Sequence, residues 1–215
     1  MKDINRFLEG AILPEANGTS LTREISTRQL DMKIACLGWG SLIWRPGGLK
    51  IQRYWFNDGP FLPLEFARQS ENGRLTLVIN VGSKPVRSLW ALMDTTDLNE
   101  AKTSLMLREG IKERNIEKHL GVLTCSNEVQ DQFLQELKEW ALTLKLDAIL
   151  WTSLEPKFSD EVNRAPTLDE ALNYLRNLDI QKRQAAEEYI RRAPQQIDTS
   201  YRQVFESEFG WTYLQ

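Results

Sequence analysis

The chain has 215 residues, with 27 Lys and Arg against 30 Asp and Glu, for a formal net charge of −3. Hydrophobic residues make up 41% and charged residues 27%, the profile of an ordinary globular chain of one domain, or one domain with an extension, and not of a disordered, collagen-like or membrane-embedded one. The near-neutral, mixed charge gives neither the basic footprint of a nucleic-acid binder nor a polybasic membrane anchor.

Cysteine and histidine narrow the chemistry. Cys36, Cys125 and His119 are the full set, with no CxxC pair and no Cys/His cluster. No disulfide framework and no structural zinc site are therefore expected. Any Ser-His-Asp or Cys-His mechanism would have to use His119. No apolar run approaches the roughly 18 residues of a membrane-spanning helix. Met1 to Arg6 lacks the apolar stretch of a signal peptide. The expectation is a cytoplasmic protein with reduced thiols.

Residues 1–31 read as a lead-in, with a short amphipathic turn or helix at Ile4–Leu13 and a loop from Pro14 to Ser20. Lys33–Leu37 is a compact apolar run that predicts a buried strand. It delivers the chain into Gly38-Trp39-Gly40-Ser41, a turn that needs permissive backbone. Phe61–Ser70 and Arg74–Asn80 flank Glu71-Asn72-Gly73 and predict a hairpin. Val86–Met93 is a further strand. The period then changes. Asp97–Gly110 predicts a helix with Asp97 as N-cap, Glu100 completing a capping box and Gly110 as stop. Glu128–Leu144 predicts an amphipathic helix with Phe133, Leu137, Trp140, Ala141 and Leu144 on its apolar stripe. Ala148–Thr152 is a short strand. Thr167–Leu178, capped by Thr167 and Glu170, and Ile180–Arg192, ended by Pro194, are helices. Thr199–Phe209 is the last helix. Strands first and helices later predict an α+β fold, a small antiparallel or barrel-like sheet with packed helices.

The glycine-rich turn is the most unusual local feature. It can aim several backbone N–H groups into one cavity as an anion-binding nest, or it can be a tight turn with glycine for steric reasons alone. It is not a dinucleotide fingerprint, because Ile43 stands where the last glycine belongs. It is not a Walker A loop or a nucleophile elbow either. Glu109 ends a helix. Partial burial there would raise its pKa toward general-base duty, while its charged surroundings read as a solvated helix end. Glu65 lies inside an apolar strand and reads as facing outward. His119 reads as a surface residue and Cys36 as a core thiol. Most of the tryptophans read as core or pocket wall. In the C-terminal part, Thr152 or Lys157 is expected to reach a pocket, and Tyr189–Pro194 and Thr199–Arg202 read as solvated helix faces.

Gly38-Trp39-Gly40-Ser41-Leu42-Ile43-Trp44-Arg45-Pro46 resembles the N-terminal signature of gamma-glutamyl cyclotransferases of the ChaC type, roughly G-Y-G-S-L-[IM]-W-x-P. Leu89-Trp90-Ala91-Leu92 resembles the strand that precedes the family's catalytic helix. Arg108-Glu109-Gly110-Ile111 resembles the element that holds its catalytic glutamate. The likeness spans about residues 33–125. It divides the chain into a lead-in over 1–31, a cyclotransferase-like domain over 32–155 and a helical extension over 156–215 packed on it. Trp39 departs from the usual Tyr and loses a phenolic O–H.

The resemblance implies cleavage of a gamma-glutamyl amide (glutathione, a gamma-glutamyl amino acid or a gamma-glutamylamine) to 5-oxoproline and an amine. It implies Glu109 as general acid and base. Gly38, Trp39, Gly40, Ser41 and Leu42 would bind substrate, the N–H groups of Gly40, Ser41 and Leu42 holding the alpha-carboxylate or the developing oxyanion. The attacking amine belongs to the substrate, so no metal and no cofactor are implied, and the expected partner is a small gamma-glutamyl molecule. Two other readings stand beside it. One is a non-catalytic or diverged scaffold that binds a ligand or a protein. The other is a related transferase or amidase using the same pocket.

Overall fold

The computed structural model describes residues 31–214, so the expectation for Ile4–Leu13 lies outside the described residues. The chain folds as α+β. Strand β1 (Ile34–Gly38) lies inside a four-stranded sheet, between β6 (Leu89–Leu92) and β8 (Ala148–Thr152), with β7 (Leu120–Thr124) at the far edge. β1 runs antiparallel to β6 and parallel to β8, and β7 runs antiparallel to β8. All five residues of β1 are buried. Period-2 alternation sends Ala35 and Leu37 to one core and Ile34 and Cys36 to another. Burial on both faces is why this strand reads as a continuous apolar run.

Helix α1 (Leu98–Glu109) contributes Ala101 and Leu105 to the second core and covers that face of the sheet. The other face packs on a second sheet, ordered β10 (Glu161–Val162), β9 (Lys157–Phe158), β3 (Leu64–Gln69), β4 (Leu75–Ile79). β3 and β4 form the hairpin predicted around Asn72-Gly73, with Gly73 at φ 78°. The predicted strand 61–70 is split at Pro63, which has no N–H to donate. Its first part, β2 (Phe61–Leu62), pairs separately with β5 (Val86–Arg87).

Helices α2 (Ile116–His119), α3 (Gln132–Thr143), α4 (Leu168–Arg176), α5 (Ile180–Arg192) and α6 (Ser200–Phe209) complete the order. The predicted barrel is not closed among the described residues. One sheet ends at β6 and β7 and the other at β10 and β4, and α5 and α6 pack on β4 and β3 where further strands would have to curl.

Caps set the helix limits. Asp97 accepts from the N–H groups of Asn99 and Glu100, and Gly110 ends α1 in the left-handed region at φ 65°. The predicted reciprocal partner behaves differently: Glu100 turns to Lys50 and Thr95, while the Asp97 N–H goes to Thr95 Oγ1. The Thr167–Glu170 box is complete. α3 begins at Gln132, later than the periodicity suggests, because Asp131 caps it there.

Glu65 corrects the sequence reading. It is 3% exposed and faces the start of α6 instead of solvent. Its carboxylate accepts from Thr199 Oγ1 at 2.5 Å, from the Phe66 N–H at 3.0 Å and from the Tyr201 N–H at 3.3 Å. An acid at a helix N-terminus satisfies orphan donors and complements the dipole. Burial nevertheless raises its pKa, against the lowering effect of these hydrogen bonds. Arg202, read as solvated, is also buried. Its Nη1 donates to the carbonyls of Ala193, Pro194 and Ile197 and closes the connection between α5 and α6.

Replacing Glu65 by Ala strips acceptors from Thr199 and Tyr201. The expected loss is about 2–3 kcal/mol, read as a fall in Tm of roughly 4–12 °C. Because its folded-state pKa is raised, ionising Glu65 costs stability as pH rises through that pKa. Glu65→Gln should therefore keep most of the stability and lose this pH dependence in thermal melts.

Candidate functional site

The turn after β1 folds back on itself through hydrogen bonds from Ile43 N–H to Gly40 O and from Arg45 N–H to Ser41 O. Trp39 is buried, and its indole N–H donates to Leu77 O at 3.1 Å, which ties the turn to β4. The indole therefore serves as wall and strut. No acceptor among the described residues takes the N–H groups of Gly40, Ser41 or Leu42.

Two glycines here are required by close approach. A Cβ on Gly38 would lie 2.6 Å from the Trp55 ring, and one on Gly40 would lie 2.5 Å from the Tyr189 hydroxyl. Neither adopts a positive φ. The steric and the functional explanations of this turn thus hold together: the glycines are needed for packing, and the packing places the turn on a cavity.

That cavity has a volume of about 320 Å³. Gly38, Trp39, Gly40, Ser41 and Leu42 line it together with Glu109, as do Arg68, Arg74, Arg108, Thr76, Thr152 and Tyr189. The structure thus brings all six residues singled out in the sequence to one hollow. Thr152 is there as well, and Lys157 lines an adjoining hollow with Arg68, Ser70 and Arg74. Glu109 is the last residue of α1 and its side chain is 19% exposed, so it is not the solvated helix end that its neighbours suggested.

A single guanidinium connects the acid to the turn. Arg108 Nη1 donates to Glu109 Oε1 at 2.7 Å, and Nη2 donates to Ser41 Oγ at 3.2 Å and to Arg45 O at 2.8 Å. Glu109 Oε2 has no hydrogen-bond partner among the described residues. Burial raises the Glu109 pKa, while the charge and hydrogen bond of Arg108 pull it down; burial prevails and the carboxyl sits above the usual carboxylate range. Such an acid is a stronger base than an exposed one.

The remaining nucleophile candidates lie elsewhere. Cys36 is fully buried in β1, and burial pushes its thiol far above the ordinary range. His119 closes α2, half-buried, with Nε2 4.0 Å from Glu155. Among the described residues no cluster of three or more His, Cys, Asp or Glu could hold a metal ion, and no helix is long and apolar enough to cross a membrane.

Among the cavity residues, the sequence reading placed Tyr189 wrongly and passed over Arg68, Arg74 and Thr76. Tyr189, read as part of a solvated face, is buried. Its signal was present: Ala186, Tyr189, Ile190 and Ala193 recur at helical spacing and are all buried. Arg74 directly follows the Asn-Gly turn, and nothing in its local sequence marks it.

No protein-family model, curated protein or solved structure matches this chain.

The contact between Gly40 and Tyr189 yields a direct test. Gly40→Ala should destabilise the protein by about 1–3 kcal/mol through overpacking. Tyr189→Phe removes the obstructing oxygen and leaves the new Cβ 3.5 Å from the ring carbon that carried it. In urea denaturation Gly40→Ala should therefore cost less in the Tyr189→Phe background than in the wild type; an equal or larger cost would contradict the assigned contact.

Proposed function

We propose that this chain is a gamma-glutamyl cyclotransferase-like enzyme that cleaves a gamma-glutamyl amide to 5-oxoproline and an amine. The observation that carries the reading is Glu109. It is a mostly buried acid of raised pKa, with one oxygen unmatched among the described residues, on the same cavity as the N–H groups of the glycine turn, which have no acceptor among those residues either.

The chemistry requires little else. The substrate's alpha-amine attacks its own gamma-carbonyl carbon, forming the ring C–N bond. A cavity that holds the chain folded supplies the proximity for this step. Glu109 accepts a proton from the alpha-ammonium before attack and returns it to the departing amide nitrogen as the bond from the gamma-carbonyl carbon to that nitrogen breaks; the attacking nitrogen sheds its second proton to solvent as the ring closes, and the released amine takes one up. The N–H groups of Gly40, Ser41 and Leu42 stabilise the oxyanion that develops on the gamma-carbonyl oxygen. Arg108 holds the acid and the turn in register through Ser41.

A second reading is a scaffold that binds a small anion without turnover. It is favoured by the Arg108–Glu109 ion pair, which is also what a purely structural acid would make.

The test is a screen of the purified protein against glutathione, gamma-glutamyl amino acids and gamma-glutamylamines, with 5-oxoproline read by mass spectrometry. Product is expected from at least one class, and Glu109→Gln should lower the rate by about 10²–10⁴-fold. Absence of product from every class, or full activity in the variant, would defeat the reading.

A further inference from the structure

The cavity carries more positive charge than its own acid balances. Arg108 is matched to Glu109. Arg68 and Arg74 also line the hollow, and neither makes an ion pair among the described residues. Arg68 Nη1 is used on the carbonyl of Glu155. The Arg74 guanidinium makes no hydrogen bond among the described residues, and its Nε is buried without a partner. Its two Nη groups also have no acceptor among the described residues but keep accessible surface, and Arg74 lines the cavity, so a ligand there can supply the acceptor they lack.

A second unmatched donor lies beside it. The Tyr189 ring is 5.5 Å from the Arg74 guanidinium carbon. Its hydroxyl accepts the Leu77 N–H at 3.3 Å, and its own proton has no acceptor among the described residues. Burial pushes the phenol up to about 12, with the charge of Glu109 adding to the rise, so it keeps that proton near neutrality and is a donor. The same oxygen lies against Gly40, inside the glycine turn. Gly40 is itself one of the oxyanion donors assigned above.

We propose that Arg74 and Tyr189 together seat the alpha-carboxylate of the substrate, so that the helical segment after residue 156 completes the binding site. The proposal rests on the cyclotransferase reading for the identity of the carboxylate, and on the two unmatched donors for the seat. The alpha-carboxylate fits better than a carboxylate on the departing amine. It stays with the compact, ring-closing half of the substrate, whose carbonyl must lie at the turn that Tyr189 touches. The hollow toward Lys157 and Asp160 is left for the departing half. A planar guanidinium and a phenol O–H are suited to the two oxygens of one carboxylate.

The experiment is isothermal titration of the full chain with 5-oxoproline and, separately, with its primary amide, which lacks the charge. Wild type, Tyr189→Phe, Arg74→Gln and Arg74→Lys are compared, with circular dichroism melts as the control for folding. 5-Oxoproline should bind the wild type more tightly than the amide does. Tyr189→Phe and Arg74→Gln should each weaken 5-oxoproline by about 10-fold or more and leave the amide within about twofold, with Arg74→Lys between. Unchanged affinity in the folded variants, equal binding of acid and amide, or no binding of 5-oxoproline by the wild type would each overturn the seat. The two proposals separate cleanly. A wild type that binds 5-oxoproline through Arg74 and Tyr189 but turns over no gamma-glutamyl compound keeps the seat and loses the enzyme. One that turns over substrate with Tyr189→Phe and Arg74→Gln unaffected keeps the enzyme and loses the seat.

Discussion

The turn that leaves β1 reaches the cavity only because residue 40 has no side chain. The Tyr189 hydroxyl occupies the place where a Cβ would be, and a substituent there would push α5 away from the turn. Much else follows from that contact. It fixes α5 against β4 through the Leu77 N–H, and it brings Tyr189 onto the cavity wall beside N–H groups of the turn that have no acceptor among the described residues. β1 supplies the rigid half of the arrangement. It is buried on both faces and paired on both edges, so the turn starts from a fixed point. Trp39 then anchors it to the second sheet.

The electrostatics of the cavity is a contest between burial and one guanidinium. Desolvation alone would favour a neutral Glu109. Arg108 counters it, and its second nitrogen grips Ser41, so the group that keeps the acid ionisable also positions the turn. Arg108 also closes on the Arg45 carbonyl, and Arg45 pairs with Glu188 on α5. That outer pair is well exposed and adds little stability. The inner one is shielded, and its geometry governs the chemistry assigned to Glu109.

Much of this was legible in the sequence, for identifiable reasons. The apolar run of β1, the Asn-Gly hairpin, the Thr167–Glu170 box and the strand Ala148–Thr152 each carry a local signal strong enough to stand alone. The glycine turn and Glu109 could be paired from the residues that resemble two motifs, although neither motif states that they share a cavity. What failed was whatever depends on long-range partners. Glu65 looked outward because strand alternation cannot reveal that α6 starts directly above it. Tyr189 and Arg202 looked solvated because charged neighbours masked their helical periodicity. β9 and β10 have two residues each, too few for any alternation to register.

The central claim is that burial holds Glu109 as a base of raised pKa beside the glycine turn. Carbon-13 NMR of the side-chain carboxyl of Glu109, followed through a pH titration and assigned with Glu109→Gln, measures it directly. The expected midpoint lies above that of an exposed glutamate and moves higher still in Arg108→Met, because the cation that opposes burial has been removed. A midpoint at or below the ordinary glutamate value, or one that does not move in Arg108→Met, would contradict it.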